Sequence, residues 1–173
     1  MSCVEDFGLP GVRLRYIRRI VDGRGFFSEV LRSDWPEVLQ DQVAQCNVSV
    51  TYPGVVRAWH RHVRGQTDCL FVVKGTLQMC AYDPSGGGLA EVFAGEWQPL
   101  LVRIPGHYFH GIRALGNEPA TLVYFVTNLY DYDDPDEERL AWNDPSIVPQ
   151  TINGKSVDPR VGKPWEWFYT PHR

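Results

Sequence analysis

Short apolar runs recur along the chain, and Gly, Pro, Asp and Asn residues separate them. The runs are rich in β-branched and aromatic side chains, which favour strands over helices. The clearest predicted strands cover residues 12–17, 26–31, 44–51, 55–59, 70–73, 76–82, 100–104 and 121–128. Lys74-Gly75 predicts a tight hairpin turn, and the Gly-rich run 84–88 predicts an exposed loop.

Signals for helices are scarce. Ser33 is a suitable N-cap residue and Pro36 is an early proline, so one short helix is predicted over residues 34–39. Residues 135–140 predict another turn or two of helix. Many strands and few helices indicate an all-β fold, a barrel or a double-sheet jelly roll, in one domain spanning residues 1–173. The last 39 residues hold six of the 13 prolines, so this tail is predicted to drape over the body.

Length and charge exclude several classes of protein. A chain of 173 residues is long enough for one substantial core. With 17 Lys and Arg against 21 Asp and Glu, its net charge is −4, which argues against nucleic acid or an anionic membrane as the main partner. No stretch approaches the roughly 18 apolar residues that a membrane helix needs. The four cysteines lack CxxC spacing and no secretory segment is evident, so we expect reduced thiols in a cytoplasmic protein.

Two histidines, His60 and His62, are separated by one residue in a stretch that predicts a strand. Side chains two positions apart on a strand share a face, so both imidazoles can project into the same space. Two kinds of chemistry fit this pattern. His60 could act as a general base, since an ordinary histidine pKa of about 6.5 suits proton abstraction at neutral pH. Alternatively, both rings could hold a metal ion, and His110 could meet them across the mouth of a barrel.

The spacing of these residues resembles that of a known superfamily. The two motifs of the cupin superfamily are similar to the positions of Gly54, His60, His62, Gln66 and Gly75, followed by Pro105-Gly106 and His110. This resemblance implies a cupin-type jelly roll, and it concerns the fold more than the function.

A narrower resemblance, to the dTDP-4-dehydrorhamnose 3,5-epimerase family, covers nearly the whole chain. The segments that carry it are, in order, 22–29 (Asp-Gly-Arg-Gly-Phe-Phe-Ser-Glu), 45–49 (Gln-Cys-Asn-Val-Ser), 54–60 (Gly-Val-Val-Arg-Ala-Trp-His), Ile104-Pro105 with His110-Gly111, 124–130, 142–145 (Trp-Asn-Asp-Pro), and 156–158 with 162–164. Each match alone is weak, whereas an ordered series of them is specific.

The resemblance implies an isomerase that needs no metal or other cofactor. Its substrate would be a nucleotide-linked 4-keto-6-deoxy sugar of rhamnose-like biosynthesis, inverted at carbon 3, carbon 5 or both. His60 would be the base, Asp158 the acceptor that orients its ring, and Tyr130 the acid on the opposite face of the sugar. The substrate-binding residues that the resemblance implies are Arg24, Phe27, Glu29, Gln45, Asn47, Arg57 and His110. The family also implies a homodimer in which the N-terminal strands of one subunit help to complete the other subunit's site.

Two residues depart from the family pattern. Asp68 stands where the family has a lysine near the reacting sugar, and His62 stands in place of the usual glutamine. A carboxylate opposes the formation of a nearby enolate, so Asp68 must be protonated, turned away, paired with a cation or used in a different reaction. The departures leave the substrate and the choice between carbons 3 and 5 open.

Two alternatives therefore accompany the epimerase interpretation. His60, His62, Gln66 and His110 resemble the ligands of metallo-cupins, and such a set suits Fe, Mn, Ni or Zn. A non-catalytic cupin that binds a sugar nucleotide is the second alternative. The acidic run 131–138 is predicted to be a solvated loop without a ligand role.

Overall fold

The computed structural model describes residues 6–169, and all regular secondary structure in this range is β. The strands are β1 (Arg13–Tyr16), β2 (Ile20–Asp22), β3 (Gly25–Phe27), β4 (Gln45–Thr51), β5 (Val56–Arg61), β6 (Thr67–Lys74), β7 (Thr76–Tyr82), β8 (Gly88–Gly95), β9 (Leu100–Pro105), β10 (Phe109–Leu115), β11 (Ala120–Val126), β12 (Glu138–Arg139) and β13 (Thr151–Ile152). Within the described residues, no helix is long and apolar enough to cross a membrane.

The strands form two main sheets and a separate hairpin. One sheet has the order β1-β9-β6-β11-β4, the other has the order β12-β5-β10-β7-β8-β13, and β2 pairs only with β3. Every pairing is antiparallel except that of β13 with β8. Two facing sheets with mostly antiparallel pairing confirm the prediction of an all-β cupin-type jelly roll.

Apolar side chains from both sheets fill the space between them. Leu70, Val102 and Leu122 of the five-stranded sheet share a core with Met79 and Ile112 of the six-stranded sheet. Because side chains alternate along a strand, the neighbouring positions face outward. This alternation determines which polar side chains face the space between the two sheets.

The C-terminal segment covers the outer face of the six-stranded sheet. Trp165 and Trp167 are buried there beside Trp59 and Phe109, and the ring centroids of Trp59 and Trp167 are 4.9 Å apart. These large aromatic surfaces remove apolar area of the sheet from water. The predicted drape of the proline-rich tail is thus observed up to residue 169.

The structure corrects both helix predictions. Residues 33–38 form turns, in which the N–H groups of Val38 and Leu39 both donate to the carbonyl of Trp35. So short a segment cannot offset the cost of helix nucleation, and burial of Val38 beside Ile17 determines its path instead. Residues 138–139 pair with β5 as an edge strand rather than forming a helical turn.

Several strand predictions also needed tertiary context. The predicted strand 26–31 ends at Phe27, since the following residues leave the small hairpin. Strands β8 and β10 were not predicted, because Glu91 in β8 and His110 in β10 interrupt their apolar pattern. Both polar residues are buried in the structure. Each is part of a charged cluster, and the two clusters lie on opposite faces of the six-stranded sheet.

Candidate active site

A cavity of about 380 Å³ lies between the two sheets, which is within the range of small-molecule sites. Strands β4, β5, β6, β10 and β11 form its walls, together with part of the segment that follows β11. The polar side chains that line it are Ser49, Arg57, His60, Asp68, His110, Tyr124, Glu137 and Arg139. Both charged and uncharged polar groups therefore face one partly open cavity.

The pairing of β5 with β10 brings the histidines together. His60 lies directly opposite His110 in the register, so both rings project from the same face of the sheet, with centroids 4.2 Å apart. His62 follows two residues after His60, and its ring centroid is 5.4 Å from that of His60 and 5.5 Å from that of His110. The prediction that the three imidazoles share one space agrees with this geometry.

Asp68 enters the same cluster from the opposite sheet. Its Oδ2 atom is 3.4 Å from Nε2 of His110 and 3.8 Å from Nε2 of His62. Its Oδ1 atom accepts a hydrogen bond of 2.8 Å from the amide of Gln66, whose nitrogen also lies 3.0 Å from Nε2 of His62. Asp68 is therefore a buried carboxylate paired with imidazoles, and it does not need Arg57 or Arg61 as a partner.

Two of the imidazoles are oriented by backbone carbonyls. Nδ1 of His62 is 2.9 Å from the carbonyl oxygen of Asp136, and Nδ1 of His110 is 2.9 Å from that of Tyr108. A carbonyl only accepts hydrogen bonds, so each Nδ1 carries the proton that it donates. Both Nε2 atoms consequently point toward Asp68.

Burial and the charges of neighbouring side chains shift the pKa values of His60, His62 and Asp68. Burial and the nearby rings of His110 and His62 lower the pKa of His60, so the neutral imidazole, which can accept a proton, is favoured at physiological pH. Burial would also lower the pKa of His62, but the adjacent carboxylate of Asp68 outweighs burial and raises the pKa. Burial opposes ionisation of Asp68, yet the adjacent imidazoles of His110 and His62 outweigh burial and hold the pKa of Asp68 below its ordinary value.

Tyr124 forms part of the wall opposite His60. It lies on β11 directly opposite Asn47 of β4, so the two side chains share a face. Burial and the negative charge of Asp68 raise the pKa of Tyr124, which keeps its hydroxyl protonated. The sequence analysis missed this residue, although the inward positions of its neighbours Leu122 and Val126 indicate its direction.

The predicted acid, Tyr130, lies outside the lining of the cavity. Its backbone N–H donates to Oε1 of Gln45 at 3.1 Å, and its half-exposed ring packs against Tyr132. The Gln45 amide in turn donates to Asn47 Oδ1 at 2.7 Å. Gln45 and Asn47 thus connect the cavity wall at Tyr124 with a more exposed segment that carries Tyr130.

The structure does not place Asp158 beside His60. The carboxylate of Asp158 accepts from Nε and Nη2 of Arg160 at 2.9 and 2.8 Å, and Arg160 also binds Glu91. Glu91 lies on β8 between Ala90 and Val92, which both face the interior, so this ion pair is on the outer face of the six-stranded sheet. A whole sheet therefore separates Asp158 from His60, and the carboxylate in the cavity is Asp68.

The remaining predicted residues divide into two groups. Arg57 and His110 line the cavity, and Arg57 also donates to the carbonyl of Val50 at 3.2 Å. Arg24 and Phe27 instead belong to the exposed β2–β3 hairpin, where Arg24 pairs with Asp22. Glu29 follows the hairpin and pairs with Arg32. These last three predicted residues do not line the cavity of their own chain.

The structure replaces one residue of the predicted metal-ligand set. The groups able to offer a ligand atom are His60, His62, Asp68 and His110, and their ligand atoms all lie within 4.8 Å of one another. Gln66 was the predicted oxygen ligand, but its amide nitrogen faces His62 and Asp68. The oxygen donor of this cluster is therefore Asp68, the residue that departs from the family pattern.

Comparisons with known proteins agree with this fold and identify the family of the chain. The sequence model of the dTDP-4-dehydrorhamnose 3,5-epimerase family matches residues 6–155. The probable low-salt glycan biosynthesis epimerase Agl13 of Haloferax volcanii is 45% identical over 137 residues, covering 76% of this chain and 87% of that protein. The spore coat polysaccharide biosynthesis protein SpsL of Bacillus subtilis is 38% identical over 144 residues, covering 80% and 93%.

Solved structures are similar as well. The dTDP sugar isomerase of Desulfovibrio desulfuricans G20 superposes with a TM-score of 0.73 at 26% identity, covering 82% of this chain and 90% of that one. An epimerase of Legionella pneumophila, solved with dTDP-4-keto-L-rhamnose, also gives a TM-score of 0.73, at 22% identity, covering 83% and 80%. At 22% identity, the similarity to the Legionella enzyme shows a shared fold alone.

Proposed function

This chain belongs to the dTDP-4-dehydrorhamnose 3,5-epimerase family, and from that premise we propose that it epimerises a nucleotide-linked 4-keto-6-deoxy sugar. The inverted centre would be carbon 3, carbon 5 or both, and each of these carbons is directly bonded to the ketone carbon, carbon 4. The observation that carries the proposal is a single cavity lined by His60 on one sheet and Tyr124 on the other. Epimerisation needs two such groups on opposite faces of the sugar.

His60 is the proposed base. A carbon beside a ketone loses a proton because the resulting negative charge spreads onto the carbonyl oxygen. His60 lines the cavity, and its imidazole contacts the rings of His62 and His110 without a hydrogen bond, so a ring nitrogen is available to accept that proton. Asp68 takes the place of Asp158 as the nearby carboxylate, but it contacts His62 and His110 rather than His60.

Tyr124 is the proposed acid. A proton donated by its hydroxyl to the face opposite His60 would complete the inversion and leave a phenolate in a polar wall. Its position on β11 supports this role, since the five-stranded sheet faces the sheet that carries His60. Tyr130 stays a candidate for contact with a more distant part of the substrate, because it lies beyond Gln45.

Arg57 is proposed to bind the diphosphate. It lines the cavity and remains exposed, so its guanidinium group can reach two phosphate oxygens at once. Asn47, beside Tyr124, is placed to hydrogen-bond the sugar. His110 is part of the same wall as His60.

We also propose a homodimer in which the hairpin of one subunit completes the site of the other. Arg24 and Phe27 are exposed on this hairpin, and Phe26, Val21 and Ile20 add apolar surface to it. Exposed apolar patches of this kind often mark interfaces. A mixture of His60→Asn and Arg24→Ala subunits would then regain about a quarter of the activity, since half of the dimers carry one intact site. A monomer in sedimentation analysis would contradict this arrangement.

We propose a cytoplasmic location because the described cysteines do not form disulfides. Cys46, Cys69 and Cys80 are all free in the structure, which suits a reducing compartment.

The epimerase is tested by proton exchange. Purified protein is incubated with dTDP-4-keto-6-deoxyglucose in heavy water, and deuterium at carbons 3 and 5 is followed by NMR. Exchange at either carbon, abolished in His60→Asn and retained in His107→Asn, is the expected result. His107 is an exposed histidine outside the cavity and serves as the matched control. Undiminished exchange in His60→Asn would overturn the assignment of the base, and binding without exchange in the wild type would favour a non-catalytic sugar-nucleotide protein.

A further inference from the structure

The cluster beside the proposed base has the form of a cation site. We propose that His62, Asp68 and His110 bind a divalent first-row transition metal ion, with His60 on the open side toward the cavity. The occupancy of this site is independent of the proposed epimerase function, whereas any part that the ion plays in catalysis rests on that function.

The orientation of two rings is the first argument. His62 and His110 each donate Nδ1–H to a backbone carbonyl at 2.9 Å, which leaves Nε2 with a lone pair facing Asp68. Metal-ligating histidines show this arrangement, in which an outer carbonyl fixes the tautomer and the direction of the ring. The carbonyls come from separate elements, Asp136 after β11 and Tyr108 before β10, so the convergence of the two rings does not come from one turn.

An unpartnered buried atom is the second argument. Nε2 of His110 is buried and has no hydrogen-bond partner within the described residues, although the residue is only 3% exposed. Buried polar atoms of this kind nearly always have a partner, so the isolated atom points to an absent ligand. Asp68, 4% exposed, directs Oδ2 toward the same point.

The distances fit an ion held between these atoms. Ligand atoms that each lie about 2.0–2.1 Å from a tetrahedral ion are about 3.3 Å apart. Oδ2 of Asp68 is 3.4 Å from Nε2 of His110 and 3.8 Å from Nε2 of His62, so small side-chain movements would complete the geometry. The Gln66 amide, now 3.0 Å from Nε2 of His62, would give up that contact and keep its bond to Asp68.

The donor set indicates the class of metal. Two imidazole nitrogens and one carboxylate oxygen favour Zn, Fe, Mn, Co or Ni over Ca and Mg, which prefer oxygen donors throughout. The neighbouring thiol of Cys69 does not join the set, since its Sγ atom is directed at the carbonyl of Val38 at 3.6 Å.

His60 differs from the other two histidines. It makes no hydrogen bond to a carbonyl that would fix its ring, and it is partly exposed toward the cavity. Three protein ligands with an open position are typical of catalytic metal sites. An ion here would bring positive charge to the wall where the family lysine is replaced by Asp68, and it could stabilise negative charge on a bound carbonyl oxygen.

Metal content is the first measurement. The full-length protein is produced without an affinity tag that binds metals, and bound ions are counted by plasma mass spectrometry. About one transition-metal ion per chain is expected in the wild type and in His107→Asn, and a clear loss is expected in Asp68→Asn. Retention of the ion by folded Asp68→Asn would overturn the proposal. His110→Gln provides a second variant if Asp68→Asn does not fold.

Cobalt titration gives an independent readout. Co(II) added to chelator-treated protein should develop visible absorption bands and bind more than about tenfold less tightly to Asp68→Asn, since even outer partners of ligands cost that much. His60→Asn should bind cobalt as the wild type does, and loss of binding in this variant would overturn the three-residue ligand set. If the wild type binds Zn, Fe, Mn, Co and Ni ions no more tightly than Asp68→Asn does, the proposal fails. A proton shared between Asp68 and a histidine then occupies the cluster in place of a metal ion.

The two proposals fail in distinguishable ways. Deuterium exchange that persists in metal-free protein would leave the epimerase standing and remove the metal from its mechanism. Stoichiometric metal without exchange at carbon 3 or 5 would leave the metal site standing and overturn the epimerase. Metal binding unchanged in His60→Asn, together with lost exchange, supports both.

Discussion

Two buried carboxylates lie on opposite faces of the six-stranded sheet, and they differ in how completely their partners satisfy them. On the outer face, Glu91 accepts two hydrogen bonds from Arg160 at 2.9 and 2.8 Å and one from Gln78 at 2.8 Å. On the inner face, Asp68 accepts a well-formed hydrogen bond from Gln66, and its second oxygen only approaches His110 at 3.4 Å. The outer cluster is closed, and the inner one is open to a cavity.

This difference separates a structural ion pair from a functional cluster. Arg160 also binds Asp158 and lies over the ring of Trp165, so it joins the C-terminal segment to the sheet. Each of its three side-chain nitrogens donates to the carboxylate of Asp158 or Glu91. The inner cluster has an unpartnered imidazole nitrogen and a neutral histidine beside an empty volume. The hydrogen bonding of the carboxylate, complete for Glu91 and partial for Asp68, therefore distinguishes the two clusters more clearly than residue type does.

The largest expected effect belongs to the inner face. His60→Asn should lower the exchange rate by about 10²–10⁴-fold, because it removes the proposed base. The free energy of unfolding should change little, since the imidazole of His60 contacts the rings of His62 and His110 without a hydrogen bond. Exchange by NMR and chemical denaturation measure the two quantities. A large loss of stability with unchanged exchange would make the inner cluster structural and remove the contrast.

Arg160→Met should instead lower stability and leave deuterium exchange unchanged. It leaves Glu91 buried without its cation, which should lower the free energy of unfolding by about 3 kcal/mol. Exchange by the folded fraction should persist, because a sheet separates Arg160 from His60. Urea denaturation followed by fluorescence measures the loss. Arg32→Met is the matched control, since Arg32 pairs with Glu29 and Asp34 on the surface and its loss should change the free energy of unfolding only slightly. Equal effects of both substitutions would contradict the structural role of Arg160.

Substitution of Tyr124 and of Tyr130 tests which tyrosine is the catalytic acid. Tyr124→Phe should reduce inversion by about 10²-fold, because it removes the proposed acid without leaving a void. Tyr130→Phe should act mainly on KM, since Tyr130 lies outside the cavity lining. Steady-state kinetics of both variants with the same nucleotide sugar separate these effects. If Tyr130→Phe lost turnover and Tyr124→Phe kept it, Tyr130 would be the acid.

The smallest effect concerns acid sensitivity of the outer cluster. The hydrogen bond from Arg160 holds the pKa of Asp158 below its ordinary value. Asp158 therefore stabilises the fold at pH values above its unfolded pKa of about 3.9, and this contribution is lost as the pH falls through the lower folded value. Asp158→Asn should lower the free energy of unfolding by about 0.5–1 kcal/mol at pH 7, with the difference shrinking below pH 4. A difference independent of pH would assign the effect to packing.

Much of this protein follows from local pattern. The apolar runs predict all five strands of the five-stranded sheet but only β5 and β7 of the six-stranded sheet. His60 and His62 project into one space because strands repeat every two residues. The ordered motifs indicate the family, whose model matches residues 6–155. Tyr124 could have been recognised by the same alternation, since it lies between the inward-facing Leu122 and Val126.

Tertiary structure decided which carboxylate meets the histidines. Sequence spacing cannot show that Asp158 and His60 lie on opposite faces of a sheet, nor that Asp68 from the other sheet reaches His110. It also cannot show that backbone carbonyls orient two imidazoles toward Asp68. These outcomes depend on strand order and on contacts between residues far apart in the chain, because a strand's own periodicity gives the direction of a side chain but not the identity of the group that it faces.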